Sequence, residues 1–224
     1  MTVTVKKRRK ERRDPEATRQ ALLRAGAELF AEAGFAGVRV EALARRAGVN
    51  KAMINYHFGG KRKLYEAVLK AGFGELATLV ERLRDEDRPA PELIRDFIRG
   101  FAEIAGDRLP SFPALFVREV LDGGRVPKAV LSKRREVQLG LHQIIERGVR
   151  EGSFRPVNPM VTFINLMTGL ALFFATRPAH HRILASEGLG EPPSPDVYVE
   201  HVEELLLRGL ASPSRAQAPG GAAS

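Results

Sequence analysis

The chain contains no cysteine, and this absence excludes several kinds of site at once. Disulfide frameworks, thiolate zinc centres and cysteine nucleophiles all need that residue. The chain also lacks the alternating apolar and polar runs of strands, and proline or glycine separates the windows with helical periodicity. We therefore predict an all-α fold. With 224 residues, 44% of them hydrophobic, the chain is long enough to bury a substantial core.

A leader peptide and a membrane span are not expected either. The basic N-terminal run is not followed by an apolar stretch before Asp14, as a secretory signal requires. The most apolar stretch, 160–175, is 16 residues long, contains Asn165 and two threonines, and is followed closely by Arg177 and Pro178. It is short for a membrane span and typical of a helix buried in protein. The expected location is the cytoplasm, with no membrane partner.

The familiar catalytic signatures are absent as well. No Gly-x-Ser-x-Gly is present, residues 188–190 (Gly-Leu-Gly) lack the rest of a dinucleotide fingerprint, and residues 59–61 lack the spacing of a P-loop. The adjacent His180 and His181 have no carboxylate cluster nearby, which predicts a surface turn after Pro178 and not a metal site. We therefore expect a protein that is not an enzyme and that binds no cofactor or metal.

The positive charge is concentrated in the first quarter of the chain. Residues 1–63 contain 16 Lys and Arg against 6 Asp and Glu, a balance of +10. Residues 64–224 contain 20 and 21, a balance of −1, so the total is +9. This distribution predicts a front segment that binds a polyanion and a nearly neutral body. We expect 1–13 to be a flexible basic arm, either solvated or in supplementary contact with phosphates or a minor groove.

Three short helices are predicted in the front segment. They run from about 14 to 33, from about 40 to 47 and from about 50 to 58. Asp14 and Asn50 are suitable N-caps, while Gly34 and Gly48 are suitable stops. The sharp turn between the last two helices is typical of a helix-turn-helix.

The third helix is predicted to have one side in the core and one side free. At 100° per residue, Ile54 and Phe58 share one side, and only that side is needed for packing. Ala52 and Tyr56 point the opposite way. That side is available to a groove.

The segment from Gly34 to Leu64 closely resembles the DNA-binding region of the TetR family of bacterial transcriptional regulators. The distinctive parts are Ala-Gly-Val at 47–49, Tyr-His-Phe at 56–58 and Lys61, as a set with fixed spacing. The likeness covers about residues 14–70; beyond them it is one of length and helix order. The resemblance implies an N-terminal three-helix DNA-binding domain followed by a larger helical domain that binds ligand and dimerises.

The resemblance also implies which side chains meet DNA. They are Arg39, Asn50, Lys51, Ala52, Met53, Asn55, Tyr56, His57 and Lys61. Positions 51–53 and Asn55 would lie at or in the major groove, where asparagine can bond adenine and Met or Ala can touch a thymine methyl. Tyr56, His57 and Lys61 would contact phosphates, although a solvated side chain is the alternative for His57.

Two positions depart from the family's pattern. Arg39 stands where many members carry Ser or Thr before the second helix, which loses a hydroxyl cap and places a cation near an expected phosphate. Gly60 replaces the common Ser or Asn before Lys61, so free amides take the place of a side-chain cap.

The remainder of the chain predicts longer helices. They cover about 61–84, 93–104, 115–120, 130–152, 160–176 and 196–210, with a break bracketed by Pro110 and Pro113. The expected organisation is a basic arm (1–13), a helix-turn-helix domain (14–60), a ligand-binding and dimerisation domain (61–210) and a disordered tail (211–224).

The resemblance implies a small-molecule pocket in this body and a dimer face on its last two helices. The candidates for ligand contact are aromatic, methionine or polar side chains set among apolar ones: Phe101, Phe112, Phe116, Arg118, Glu119, His142, Asn165, Met167 and Thr168. Each has a structural alternative, such as an ion pair for Arg118 or Glu119 and a bridge across the dimer for Asn165. Because aromatic and methionine residues dominate, a mostly apolar ligand is expected.

The sequence thus predicts a homodimeric, sequence-specific, DNA-binding transcriptional regulator. It would be a repressor that a small, mostly apolar effector releases from an inverted-repeat operator. Two alternatives remain. One is a small helical enzyme with a basic tail, and the other is an adaptor at acidic membrane surfaces that uses the basic arm and the 160–175 stretch.

Overall fold

The computed structural model describes residues 14–121 and 128–212, with only the backbone of Ala129. In these ranges the helices are α1 (Pro15–Gly37), α2 (Val40–Ala47), α3 (Ala52–Phe58), α4 (Lys61–Asp85), α5 (Ala90–Glu103), α6 (Phe112–Leu121), α7 (Lys128–Arg150), α8 (Pro159–Glu187) and α9 (Pro195–Leu210). Among the described residues, the only pairing of strand type is an isolated bridge between Phe154 and Ala211. The all-α prediction is confirmed. The basic arm and most of the predicted tail lie outside the described residues.

The chain divides into two compact units, the first ending at Val68 and the second beginning at Leu69. The division falls inside α4 because the first turns of that helix pack against α1. A Cβ added at Gly26 would lie 3.2 Å from Val68 Cγ2 and 3.5 Å from Leu64 Cγ. The boundary predicted between positions 60 and 61 lies at the start of the same helix.

The first unit begins with a capped helix. The Asp14 carboxylate accepts a hydrogen bond from the N–H of Glu16 at 3.0 Å, and Pro15 occupies the first helical position. Gly34, at φ 68° and ψ 173°, interrupts α1 where the sequence predicted its end. Phe30 is fully buried, and its ring meets Tyr65 of α4 edge-on at 4.9 Å.

The second unit differs from prediction between α5 and α6. A π-helical turn, Ile104–Arg108, prolongs α5. The predicted break bracketed by Pro110 and Pro113 is therefore wrong at its second end, because α6 already begins at Phe112. Pro113 lies in the first turn of α6, where a backbone N–H would have no partner within the helix and its loss is harmless.

The end of α8 also differs from prediction. The helix passes through Pro178 and ends at Glu187, before Gly188 at φ 67°. His180 and His181 therefore lie in the helix, and the predicted surface turn is wrong. A proline inside a helix removes one backbone hydrogen bond without preventing the helix from continuing on both sides.

A buried carboxylate joins α9 to α5. Glu203 is 7% exposed. Its two oxygens accept hydrogen bonds from Nε and Nη2 of Arg99 at 2.7 and 3.0 Å, and Nε of Arg95 lies 3.6 Å from Oε2. A buried carboxylate is stable only with such partners, and a bidentate pair also fixes geometry. The position of α9 against α5 is therefore well defined.

Candidate nucleic-acid interface

The turn between α2 and α3 is built by Gly48 and Asn50. Gly48 adopts φ 65° and ψ 33°, and its N–H donates to carbonyl oxygens at the end of α2. Glycine takes this left-handed conformation without steric penalty. Asn50 then accepts a hydrogen bond from the N–H of Ala52 at 2.9 Å, which fixes the start of α3. The result is the sharp turn of a helix-turn-helix, as predicted.

The side chains of α3 divide into a buried side and an exposed side. Ile54 is 1% exposed, whereas Tyr56 is 76% exposed. Ala52 and Asn55 are also exposed, and Met53 is half-buried. The predicted orientation of Ile54, Ala52 and Tyr56 is confirmed. This helix therefore presents a continuous side that the unit's own core does not use.

Of the aromatic residues at the end of α3, Phe58 is less deeply buried than predicted. The rings of Tyr56 and His57 meet edge-on at 5.0 Å, and His57 is half-buried. Phe58 was expected in the core but is half-buried, with the Arg19 guanidinium 5.5 Å from its ring centroid. An aliphatic or cationic side chain lying on a ring shields it from water while remaining partly exposed itself.

The cations of α2 and its flanks are exposed. Arg39 precedes α2 without capping it through its side chain. Lys51 Nζ lies 3.8 Å from Glu41 Oε1, and both side chains are more than half exposed. Such a pair contributes little to stability in water. Arg46 pairs with Glu28 of α1 at 2.5 Å, which links α2 to α1.

Two cations at the start of α4 share one aromatic ring. Lys61 Nζ lies 4.4 Å from the ring centroid of Phe35, and the guanidinium carbon of Arg62 lies 5.5 Å from it. Both distances fall within the range of a cation–π contact. Gly60, at φ 120°, precedes them and supplies no side chain to cap α4.

The nine candidates for ligand contact are distributed over several environments in the second unit. Buried are Phe101, Phe112, Glu119 and Met167; half-buried are Phe116, Arg118 and His142; exposed are Asn165 and Thr168. The exposed pair lies on α8. The candidates therefore do not all face one place.

Some of these candidates meet through aromatic contacts. The ring centroids of Phe112 and Phe116 are 6.4 Å apart, and both rings pack on Phe73, at 5.3 and 5.9 Å. Phe101 packs instead on Phe174 at 6.2 Å. The structure thus joins Phe112 to Phe116 and gives Phe101 a different aromatic neighbour.

His142 is the candidate with an unused polar atom. Its ring meets Phe163 of α8 edge-on at 6.0 Å. Its Nε2 is buried and has no hydrogen-bond partner in the described part of the chain. A buried nitrogen without a partner is costly unless another molecule supplies one.

An open groove of about 710 Å³ separates α8 from α9. Asn165 and Tyr198 are among its lining residues. Partial burial raises the pKa of the Tyr198 hydroxyl above its usual value. Large apolar side chains that remain exposed on these two helices include Val161, Ile164, Leu172, Val197 and Leu205. No pattern in the sequence predicts the groove itself.

The apolar character of α8 extends to its exposed side. By length and composition this helix could cross a membrane, because its most apolar window has a mean hydropathy of 1.6. Only 33% of that window is buried. The expectation of a helix buried in protein is therefore met only in part within one protomer.

The histidines and carboxylates of the described residues do not form a metal site. Within 14–121 and 128–212, no three His, Asp or Glu side chains are grouped closely enough to bind a metal ion. His180 and His181 are neighbours in α8 and so point in different directions around the helix.

The fold and the exposed third helix define a helix-turn-helix protein with a helical C-terminal domain. Comparison with known proteins agrees. Residues 22–68 match the family model for bacterial regulatory proteins of the tetR family. Residues 134–216 match the tetracyclin repressor-like C-terminal domain.

Similar chains of known function cover nearly the whole sequence. The HTH-type transcriptional regulator RutR of Escherichia coli is 30% identical over 207 residues, which are 92% of this chain and 96% of RutR. The HTH-type transcriptional repressor NicS of Pseudomonas putida is 28% identical over 200 residues, 87% and 93% of the two chains. The protein belongs to the TetR family of bacterial transcriptional regulators.

Solved structures share the fold at lower identity. The TetR-family regulator PfmR of Thermus thermophilus has a TM-score of 0.67 and 23% identity, covering 84% of this chain and 98% of PfmR. AibR, solved with isovaleryl coenzyme A and operator DNA, has a TM-score of 0.68 and 14% identity, covering 85% and 98%.

Proposed function

We propose that the protein binds an inverted-repeat operator as a homodimer, with α3 of each protomer in the major groove of one half-site. The observation that carries this proposal is the outward side of α3, where Tyr56 is 76% exposed while Ile54 is 1% exposed. A helix with this division, placed second in a helix-turn-helix, is the element that enters a major groove. As such a regulator, the protein acts in the cytoplasm.

In the proposed complex, some exposed side chains of α3 and its flanks read bases and others contact phosphates. Asn55, with Lys51, Ala52 and Met53, reads base edges, because an amide can bond adenine and apolar groups can touch thymine methyls. Tyr56, His57, Lys61 and Arg39 contact phosphates, and Asn50 sets the start of the helix. Three of these four phosphate-contacting groups are cations or can become cationic, which suits a polyanion.

The test is selection of bound sequences from random duplex DNA with the purified full chain. The expected product is an inverted repeat whose half-sites are about 10 base pairs apart, or a multiple of that, centre to centre. Recovery of unrelated sequences, or of single unpaired half-sites, would contradict the proposal.

Replacing Lys61 with alanine should weaken binding to all duplexes by a similar factor. A lysine that meets a phosphate displaces one counterion from DNA, so its loss should reduce the slope of log K against log salt by about 1. Fluorescence anisotropy at several salt concentrations measures this. Lys133→Ala is the control, because Lys133 lies on α7 and pairs with Glu136 at 2.6 Å. Equal slopes for Lys61→Ala and the parent would remove Lys61 from the interface.

Replacing Asn55 with alanine should change the preferred base at one position of each half-site. Loss of a bidentate contact to a base costs about 1–3 kcal/mol of discrimination, whereas phosphate contacts are left intact. The measurement is the selection experiment repeated with the variant, alongside Lys61→Ala, which should retain the parental sequence. An identical selected sequence for Asn55→Ala would reject base reading by this residue.

We propose that the second copy covers the α8–α9 groove. The proposal is supported by the exposed apolar side chains beside that groove, among them Ile164 and Leu205, since protomer surfaces of this kind are covered in stable homodimers. The same covering accounts for the apolar side chains on which the membrane-adaptor alternative depends. Asn165 and Thr168 are exposed on α8, which favours contact across the dimer over contact with ligand.

We propose that a small effector binds inside the second unit and lowers operator affinity. His142 is the polar candidate best supported, because its buried Nε2 has no partner in the described part of the chain. The ring of Phe163, which meets His142 at 6.0 Å, favours a mostly apolar ligand there. AibR was solved with a coenzyme A thioester, so a series of acyl thioesters is a reasonable first panel. Release of operator by one of them, lost in His142→Phe, supports the site; release that survives it excludes His142.

We propose that effector binding in the second unit is coupled to DNA binding by the first unit through α4. This helix contributes Leu64 to the core of the first unit and Leu76 to that of the second, and both are fully buried. A helix that belongs to two cores can transmit a shift in either. Operator release without any change in the amide hydrogen exchange of α4 would argue against this route.

A further inference from the structure

We propose that Phe35 is a positioning residue for DNA binding, which holds Lys61 and Arg62 where they meet phosphates. The inference rests on the proposed function, because it needs these cations at the DNA backbone. It assigns a role to a residue that would not itself touch DNA bases. The geometry of one aromatic ring carries the argument.

The ring of Phe35 serves two cations at once. Of the three cation–π contacts in the described residues, two are made to it: Lys61 Nζ at 4.4 Å and the Arg62 guanidinium at 5.5 Å. Within the ranges that the structure describes, neither cation has an ion pair, so these contacts with the ring are the interactions that the two cations make there. The ring is the feature that constrains both side chains.

Packing against buried aromatic residues fixes the position of the Phe35 ring. Gly34 leaves the helical conformation at φ 68° and ψ 173°, which turns Phe35 back towards α4. The ring then packs on Tyr65 at a centroid distance of 5.2 Å and on Phe30 at 6.3 Å. Both of those residues are buried. Phe35 is therefore a rigid platform with a core side and a cationic side.

A rigid platform matters because lysine is flexible. A free lysine or arginine side chain loses rotamer entropy when it is fixed against a phosphate. A cation that already lies on a ring has lost part of that freedom before DNA arrives. The ammonium of Lys61 has three donors, and the ring occupies one side of it. The remaining donors are available to phosphate oxygens.

The test replaces Phe35 by phenylalanines carrying one, two or three ring fluorines in the full-length chain. Fluorine withdraws electron density from the ring face and weakens a cation–π contact with little change in shape. Each fluorine should weaken binding further, reaching about two- to fivefold with three, because an exposed cation–π contact is of modest strength. The loss should be the same on the selected operator and on random duplex.

Two controls separate this role from a structural one. The same fluorinated series at Phe30, which is fully buried in the same aromatic cluster, should not change the affinity for DNA. In a chain carrying both Lys61→Ala and Arg62→Ala, the Phe35 series should lose its effect. Thermal melting of every variant confirms that it is folded.

The outcomes distinguish the proposal from the function on which it rests. If Lys61→Ala weakens binding and fluorination at Phe35 does not, the positioning role is rejected and the phosphate contact stands. If fluorination acts equally in the chain without the two cations, Phe35 acts through folding and the proposal is overturned. If removal of both cations leaves affinity and salt slope unchanged, the phosphate contact and the positioning role fail together.

Discussion

Replacing Ile164 with lysine should raise the dissociation constant of the dimer by about a hundredfold or more. Ile164 is 50% exposed in the protomer and directly precedes Asn165 of α8, which lines the groove that a second copy is proposed to cover. An unpaired ammonium buried there costs several kcal/mol, and a two-fold interface contains it twice. Because a lysine at a half-exposed position can extend its ammonium towards water, the cost is reduced to about 1.5 kcal/mol for each copy. The two copies together then cost about 3 kcal/mol, which corresponds to about a hundredfold.

The measurement is sedimentation velocity over a range of protein concentrations, with operator binding followed in parallel. Affinity for a full operator should fall with dimerisation, because one protomer reads one half-site. Ile183→Lys is a matched control, since Ile183 is also 50% exposed on α8 but lies beyond Pro178, whereas the α8 residues that line the groove end at Leu170. Unchanged dimerisation in Ile164→Lys would show that the two copies meet on another surface.

Replacing Gly72 with alanine should destabilise the second unit by about 2 kcal/mol or more. A Cβ at Gly72 would fall on the ring of Phe112, with Cγ only 2.6 Å away and the nearest ring atom closer still. That ring is 3% exposed and packs edge-on against Phe73, so it has little room to move. Overpacking outweighs the gain of about 1 kcal/mol that alanine brings to a helix over glycine.

A glycine-to-alanine substitution two residues further along α4 should change the free energy of unfolding in the opposite direction. A Cβ at Gly74 would meet no atom within 4 Å, so Gly74→Ala should stabilise by up to about 1 kcal/mol. Urea unfolding of both variants gives the comparison. Adding Phe112→Leu to Gly72→Ala should recover part of the loss, because the smaller side chain leaves space for the new methyl. Equal stabilities of the two alanine variants would mean that the ring moves aside freely.

The elements predicted best are those whose ends are encoded locally. Asp14 caps α1, Gly34 interrupts it, and Gly48 with Asn50 sets the turn before α3, each through atoms a few residues apart. The periodicity of a helix likewise placed Ile54 inside. Local chemistry determines these features, so the amino-acid sequence is sufficient to predict them.

The elements predicted wrongly depend on packing between distant segments. The sequence predicts that α8 ends at about residue 176, before Pro178, but the turn that precedes this proline is packed. Phe173 stacks on Tyr198 of α9 at 3.7 Å, and Phe174 packs on Phe101 of α5. Such contacts can outweigh the local cost of a proline. Similarly, no local pattern in the sequence predicts the π-helical turn after α5.

The candidate site likewise combines features that local spacing predicts with features that depend on packing between distant segments. The outward side of α3 follows from spacing alone, whereas the contact of Lys61 and Arg62 with Phe35 joins residues that are far apart in the sequence. No periodicity relates these residues, and the sequence around Phe35 does not indicate that its ring contacts cations. The groove between α8 and α9 likewise requires two helices whose relative position only the fold defines.

The pair between Lys51 and Glu41 affects how a salt titration would be interpreted. The ammonium lies 3.8 Å from a carboxylate that belongs to the protein, so part of its charge is already balanced by an internal counterion. When Lys51 approaches DNA, that carboxylate remains nearby, and its repulsion by the phosphates offsets part of the attraction of the ammonium for DNA. Lys51 would then contribute less to binding and to the salt slope than a cation without such a neighbour, and the slope would count fewer cations than the interface contains.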